Sequence, residues 1–160
     1  MLASIATRPR FAPDPARRPS GEPAVIEGSA GKQEDLRKEN ESAAVLATAG
    51  YDIEQNPPAR HNGREPDYRM QGEYWDCYAP GGDNLRTVET AIRRKVGKTE
   101  AKCQADRIIL NLDNFDLDHT MIRAHLERFP IRRLKEIKIV KHGTVTQFYP
   151  WDSEVDPHGD

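Results

Sequence analysis

The chain has 160 residues, a formal charge of −2 and 31% charged side chains. That length holds one domain plus a tail, and the near-neutral charge gives no overall pull toward nucleic acid, so any basic surface must be local. Mean hydropathy of −0.82 is polar for a compact domain and predicts that part of the chain does not fold. The two cysteines, Cys77 and Cys103, lack metal-site spacing and do not suggest a disulfide scaffold. No apolar run approaches the roughly 20 residues that span a bilayer. Met1-Leu-Ala-Ser-Ile-Ala precedes arginines rather than following them, unlike a secretory signal.

Residues 1–31 are crowded with proline, as in Arg8-Pro9-Arg10-Phe11-Ala12-Pro13-Asp14-Pro15, with Gly, Ser and Ala between. Such a segment buries too little apolar surface to order itself, and it is expected to be a disordered linker. A domain hung on such a linker is expected to be the passenger of a larger carrier. Residues 32–150 are expected to form the folded domain, and 151–160 a polar, fraying tail.

From Lys32 to Ala49 the spacing of Leu36, Ala43 and Leu46 predicts a helix, with Gly50 at its C-terminal cap. Glu39 lies three residues after Leu36 and four before Ala43, which puts it on the apolar stripe; Glu41 is not on it. An inward acid is costly unless it is paired or bound to a cation. A helix rotated by one position would instead leave Glu39 at the boundary. Tyr51–Gln55 reads as a strand, ended by Asn56-Pro57-Pro58, and a polar loop with a solvated His61 follows.

Pro66 to Pro80 reads as two strands joined at Gln71-Gly72. With that turn Met70 faces Glu73, and Asp67 lies directly opposite Asp76. Facing Cβ atoms approach within roughly 4.5–5.5 Å, where like charges repel. A divalent cation held by the carboxylates would compensate. From the pair alone, a solvated hairpin with scattered acids reads equally well.

Asp83 or Asn84 caps a second helix that runs from Leu85 to about Lys98. Its apolar heptad places Lys95 on the inward stripe, unless that side chain snorkels from a flank. Arg86, Arg93, Arg94, Lys95 and Lys98 make the helix locally basic. Solvation accounts for this, and so would a phosphate-facing surface formed by Arg93, Arg94 and Lys98. Arg107–Leu112 reads as a strand covered on both faces. Asp113–Asp118 has no Gly-x₅-Glu and is a turn and N-cap rather than a calcium loop. A helix from about Leu117 to Arg128 and a closing hairpin, 134–140 with 144–148 through His142-Gly143, complete the chain. The predicted class is α/β (α+β): a central mixed sheet flanked by helices, with a disordered N-terminal tail.

Glu39, Asp67, Asp76 and Lys95 are thus four inward charges with complementary chemistry. Three carboxylates can hold a divalent ion, and a lysine can stabilise charge on phosphorus. Pro66-Asp67 with Asp76 nine residues later resembles the metal-binding core of the PD-(D/E)xK nuclease superfamily. A longer string runs Glu39-Asn40-Glu41, Leu46-Ala47, Gly50-Tyr51, Gln55-Asn56-Pro57, Pro66-Asp67, Asp76 to Pro80 and Gln104 to Leu112. It resembles the C-terminal tRNase toxin domain of contact-dependent growth inhibition (CdiA-type) proteins, over about residues 33–148.

The resemblance implies cleavage of tRNA with Mg²⁺ or a similar divalent ion (Mn²⁺ or Zn²⁺), a cognate immunity protein and a larger carrier. It implies action in the bacterial cytoplasm, neutralised in the producer and active in a target cell after delivery. Asp67 takes the PD position, Asp76 the second acid and Glu39 the acid of the first helix, as metal ligands. The superfamily lysine position, two residues after the second acid, holds Tyr78; in related toxin domains the next helix supplies the lysine, and Lys95 is the candidate. A DNA endonuclease on the same core, or a degenerate module that only binds, are the alternatives.

Overall fold

The computed structural model describes residues 6–153. Residues 1–5 of the expected linker and 154–160 of the expected tail lie outside the described residues. The elements are β1 (Ser20–Gly21), α1 (Ala30–Thr48), β2 (Ile53–Gln55), β3 (Tyr68–Met70), β4 (Glu73–Tyr78), α2 (Leu85–Val96), β5 (Arg107–Asn111), α3 (His119–Arg128), β6 (Glu136–Lys141) and β7 (Thr144–Tyr149). The seven strands form one mixed sheet in sequence order. β4, β5 and β6 run parallel, while β2–β3, β3–β4 and β6–β7 are antiparallel pairs.

The α+β class holds, and local chemistry explains most of it. Gln71 and Gly72 both take positive φ, 53° and 78°, as a two-residue hairpin turn that follows the strand twist requires. Met70 therefore pairs with Glu73 and Tyr68 with Trp75. α1 starts at Ala30, two residues before the expected Lys32, because the Ser29 side chain caps it by accepting from the Lys32 N–H. Asn84, not Asp83, caps α2 by accepting from the Thr87 N–H at 2.9 Å. α3 begins at His119 behind Asp118. Asp113 accepts from Lys38 Nζ and from the His142 N–H.

The sheet is covered on both faces. On one, Ala43, Leu46 and Ala47 of α1 pack against Tyr68, Met70, Trp75, Ile109 and Val140. On the other, Val88, Ile92 and Val96 of α2 and Ile122 and Leu126 of α3 pack against Ile108, Leu110, Ile137 and Ile139. The side chains of β5 alternate between the two cores, which is why its sequence reads as a continuous apolar run.

The leader departs from expectation. From Thr7 onward it is laid against the domain rather than detached as a disordered linker. The Thr7 N–H and hydroxyl donate to the two carboxylate oxygens of Glu136, at 2.8 and 2.7 Å, and Lys138 Nζ donates to the Thr7 carbonyl. Glu136 and Lys138 are otherwise sealed in the sheet, with side chains 0% and 1% exposed. Further along, the Phe11 N–H donates to the Gly50 carbonyl, and the Ala24 N–H and carbonyl both bond the Asn40 side chain. β1 then adds a short parallel strand beside β2. Gly50 is needed where these segments cross: its φ is 105°, and a Cβ there would sit 2.1 Å from the Phe11 carbonyl oxygen. The reason the composition misleads is that backbone groups and a few polar side chains seat this segment, not apolar bulk.

The start of the tail is likewise seated. Trp151 stacks edge-on against Phe148 and Tyr149, and Asp152 pairs with Arg123. Among the described residues no helix is long and apolar enough to cross a membrane.

Candidate active site

The hairpin register sets two acids face to face. Asp67 precedes β3 by one residue, and Asp76 lies within β4 opposite it. Each carboxylate accepts from the opposite strand's backbone. The Asp67 N–H donates to Asp76 Oδ1 at 3.0 Å, and the Cys77 N–H donates to Asp67 Oδ2 at 2.8 Å. This reciprocal pair of charge-assisted bonds holds two mutually repelling groups at fixed positions.

The side chain of Lys95, from the last turn of α2, reaches the same place and bonds the second oxygen of Asp76. Asp76 is 3% exposed, so the pair is largely withdrawn from water. Burial opposes the Lys95 charge, but Asp76, by charge and by hydrogen bond, and Asp67 hold its pKa above the usual lysine value. Lys95 therefore points inward and does not snorkel from a flank.

Glu39 arrives from α1. The Tyr68 hydroxyl donates to its backbone carbonyl and pins that turn of helix to the hairpin. The Glu39 side chain is half-buried and close enough to Asp67 and Asp76 for the three acids to influence one another's ionisation. Glu41 instead is exposed and pairs with Lys38. Burial raises the Glu39 pKa; the adjacent Asp67 carboxyl opposes this, and the charge on Asp76 adds to it. Asp67 is pushed up to about 9, by burial first and then by the charges of Asp76 and Glu39, against the Cys77 N–H. Three carboxyl groups and one ammonium thus share one region, an imbalance that opposes ionisation of all three acids at once.

That imbalance and the all-oxygen donor set suit a hard divalent cation. Among the described residues, however, no three His, Cys, Asp or Glu side chains are gathered as a ready-made metal set. The expected set of Glu39, Asp67 and Asp76 is instead directed to partners within the protein. Asp76 faces Lys95 and the Asp67 N–H, and Asp67 faces the Cys77 N–H and Glu39.

Other residues shape the site, among them Gln104, Arg107 and Tyr78 of the motif string. Tyr68 is fully buried on the α1 face. Gln104 Nε2 donates to the Glu65 carbonyl at 2.7 Å, anchoring the loop that delivers Pro66-Asp67. Arg107 bonds Glu73 and Glu136 and is a strut of the sheet. Tyr78, two residues after Asp76, is half-buried near Asp35 and Lys95, and burial raises its pKa.

Arg93, Arg94 and Lys98 do not join the acids. They line a separate cleft of about 880 Å³ with Arg64, Lys102, Arg132 and Arg133, and none of Glu39, Asp67, Asp76 or Lys95 lines it. Arg93 is partly engaged by Glu89 and by the carbonyls of Phe129 and Pro130. The other four basic side chains were unremarkable loop charges in the sequence, because nothing local links the segments that carry them.

Comparison with known proteins supplies a frame for these features. Residues 64–145 match the family model of the contact-dependent growth inhibition CdiA C-terminal domain. A 116-residue stretch, 72% of this chain, is 38% identical to the tRNA nuclease CdiA-2 of Burkholderia pseudomallei (strain 1026b). The stretch spans 4% of that relative's length. Among solved structures, the CdiA-CT/CdiI toxin and immunity complex from Burkholderia pseudomallei superposes with a TM-score of 0.70 at 33% identity. The match covers 79% of this chain and 95% of that one.

Proposed function

This chain belongs to the contact-dependent growth inhibition CdiA C-terminal domain family, and we propose that it is a metal-dependent ribonuclease that cleaves tRNA as the toxin domain of a larger carrier. The observation that carries the reading is the Asp67–Asp76 pair, locked across the hairpin, with Lys95 on one acid and Glu39 on the other. A second support is that a relative 38% identical over most of this chain is named a tRNA nuclease.

Each residue has a part. Glu39, Asp67 and Asp76 would hold a divalent ion, Mg²⁺ first, with Mn²⁺ or Zn²⁺ as substitutes. When bound, such an ion polarises a phosphate and lowers the pKa of its water. Lys95 is held as the ammonium and cannot act as a base. It donates instead, to a non-bridging phosphate oxygen, where negative charge grows in the transition state. The backbone bonds of the hairpin keep both aspartates in place without waiting for substrate, which reduces reorganisation during the reaction. With water as the nucleophile, the RNA 2′-hydroxyl is not consumed and products carry a 5′-phosphate.

The toxin would be delivered to the cytoplasm of a target bacterium and neutralised in the producer by a cognate immunity protein. The test is incubation of the purified chain with tRNA and with plasmid DNA, with and without EDTA, followed by sequencing of the RNA ends. Cleavage of tRNA that EDTA stops, leaving 5′-phosphates, is the expected result. Activity that survives EDTA, or ends bearing cyclic phosphates, would overturn the metal-dependent mechanism; preferential cutting of plasmid would overturn the choice of substrate.

A further inference from the structure

The cleft at the C-terminal end of α2 is not at the acids, and its charge is lopsided. Three stretches distant in sequence converge on it. The loop before Pro66 contributes Arg64. The C-terminal turn of α2 and the segment after it contribute Arg93, Arg94, Lys98 and Lys102. The turn after α3 contributes Arg132 and Arg133. No acidic side chain lines the cleft. The whole chain carries −2, so seven cations around one concavity mark a strong local separation of charge.

Ion pairing accounts for only two of them. Arg93 pairs with Glu89, and Arg133 with Glu100. Among the described residues the side chains of Arg64, Arg94, Lys98, Lys102 and Arg132 enter no ion pair. The negative end of the α2 dipole favours Arg93 and Arg94, but its effect fades within one turn and does not reach Arg64 or Arg132. Convergence of the rest works against folding, so it calls for a polyanion outside the protein.

The cleft is also built to a fixed shape. Gly97 takes φ 71°, and a Cβ there would lie 2.6 Å from the Lys102 carbonyl oxygen. Only glycine lets the chain double back and set Lys102 beside the end of α2. Arg133 holds φ 72°, a left-handed conformation costly for a side chain of its kind.

We infer that this cleft grips the phosphate backbone of a folded RNA at a place other than the bond being cut. The inference rests on the ribonuclease reading above. RNA is favoured over an acidic protein because the free groups are guanidinium and ammonium groups around a concavity, with only Ile131 as an apolar lining residue. Protein interfaces centre on buried aromatic or aliphatic anchors, whereas phosphate tracks are polar and strongly positive. α2 joins the two places: its last turn sends Lys95 to Asp76 and Arg93 and Arg94 to the cleft. A substrate with its scissile phosphate at Lys95 would then lay neighbouring backbone along the cleft.

The experiment measures binding of labelled bulk tRNA to the full chain silenced by Asp67→Asn, over a range of salt concentrations. Lys102→Glu and Arg132→Glu, both at exposed positions, are each expected to weaken binding about tenfold and to flatten the log–log salt slope by about 1. Arg86→Glu, exposed in the first turn of α2 and outside the cleft, is the matched control and should shift affinity less than twofold. Lys102→Ala and Arg132→Ala repeat the measurement without introducing new charge. Unchanged affinity and slope in the cleft variants would overturn the inference and leave the cleft to protein docking. An equal loss in Arg86→Glu would overturn it in favour of diffuse charge. Absence of any tRNA binding by the silenced parent would overturn the ribonuclease reading as well.

Discussion

The backbone N–H of Asp67 donates to the carboxylate of Asp76 at 3.0 Å, so one acid is positioned by the main chain of the other. The return bond, from the Cys77 N–H to the Asp67 carboxylate, closes the pair. The energetic consequence is that Asp67 is a poor choice for stability. It lies among other acids, and its pKa is raised to about 9. A carboxyl whose folded pKa exceeds its unfolded value favours folding through its protonated form. That contribution is whole below about pH 4 and is lost as pH climbs toward 9.

Asp67→Asn is therefore expected to raise stability at neutral pH, by about 0.5–2 kcal/mol, while abolishing cleavage. The amide oxygen still accepts from the Cys77 N–H, and the repulsion is gone. Thermal melts from pH 4 to 9 check this: the parent should lose stability relative to the variant as pH rises. A variant less stable than the parent at pH 8 would contradict it.

Lys95→Met should slow tRNA cleavage by about 10²–10³-fold, the scale of losing one preorganised donor to transition-state charge. It should also destabilise the fold by about 1–3 kcal/mol, because Asp76 is left buried without its cation. The double variant with Asp76→Asn should recover part of that stability and none of the activity. Urea denaturation of the four proteins of the cycle separates the two effects.

Gln104→Ala removes the bond to the Glu65 carbonyl, which lies at an exposed position. Stability should fall by about 0.5–1.5 kcal/mol. Cleavage should fall by about tenfold, since misplacing reacting groups by an ångström is costly. Equal kcat values for parent and variant would show that the loop needs no such anchor.

Thr7→Val tests the leader. It keeps the shape and the backbone bonds but removes the hydroxyl that donates to Glu136, a side chain sealed from water. A loss of about 1–3 kcal/mol is expected. Val25→Ser, at a site 70% exposed, should change little. Urea midpoints of the two variants would coincide if the leader were detached in solution.

The opposed aspartates were legible because a strand alternates with a period of two and Gln71-Gly72 fixes the register. Glu39 was separable from Glu41 because helical phase sorts inward from outward positions, and Glu41 is indeed the exposed one. The double-faced burial of β5 followed from its unbroken apolar run. All these signals lie within one element or one turn, where geometry is nearly independent of context.

Other features depend on which distant segments meet. Thr7 lies 129 residues from Glu136, and nothing in a proline-rich stretch announces that its backbone will satisfy a buried carboxylate. The approach of Glu39 to Asp67 depends on how α1 sits on the sheet, and the basic cleft on three chain segments converging. Sequence by itself determined the faces, the caps, the hairpin register and the family string, because short-range sterics and periodicity encode them. Tertiary structure alone decided the seating of the leader, the meeting of Lys95 with Asp76 and the concentration of positive charge. Long-range packing sets those distances, and no local pattern records them.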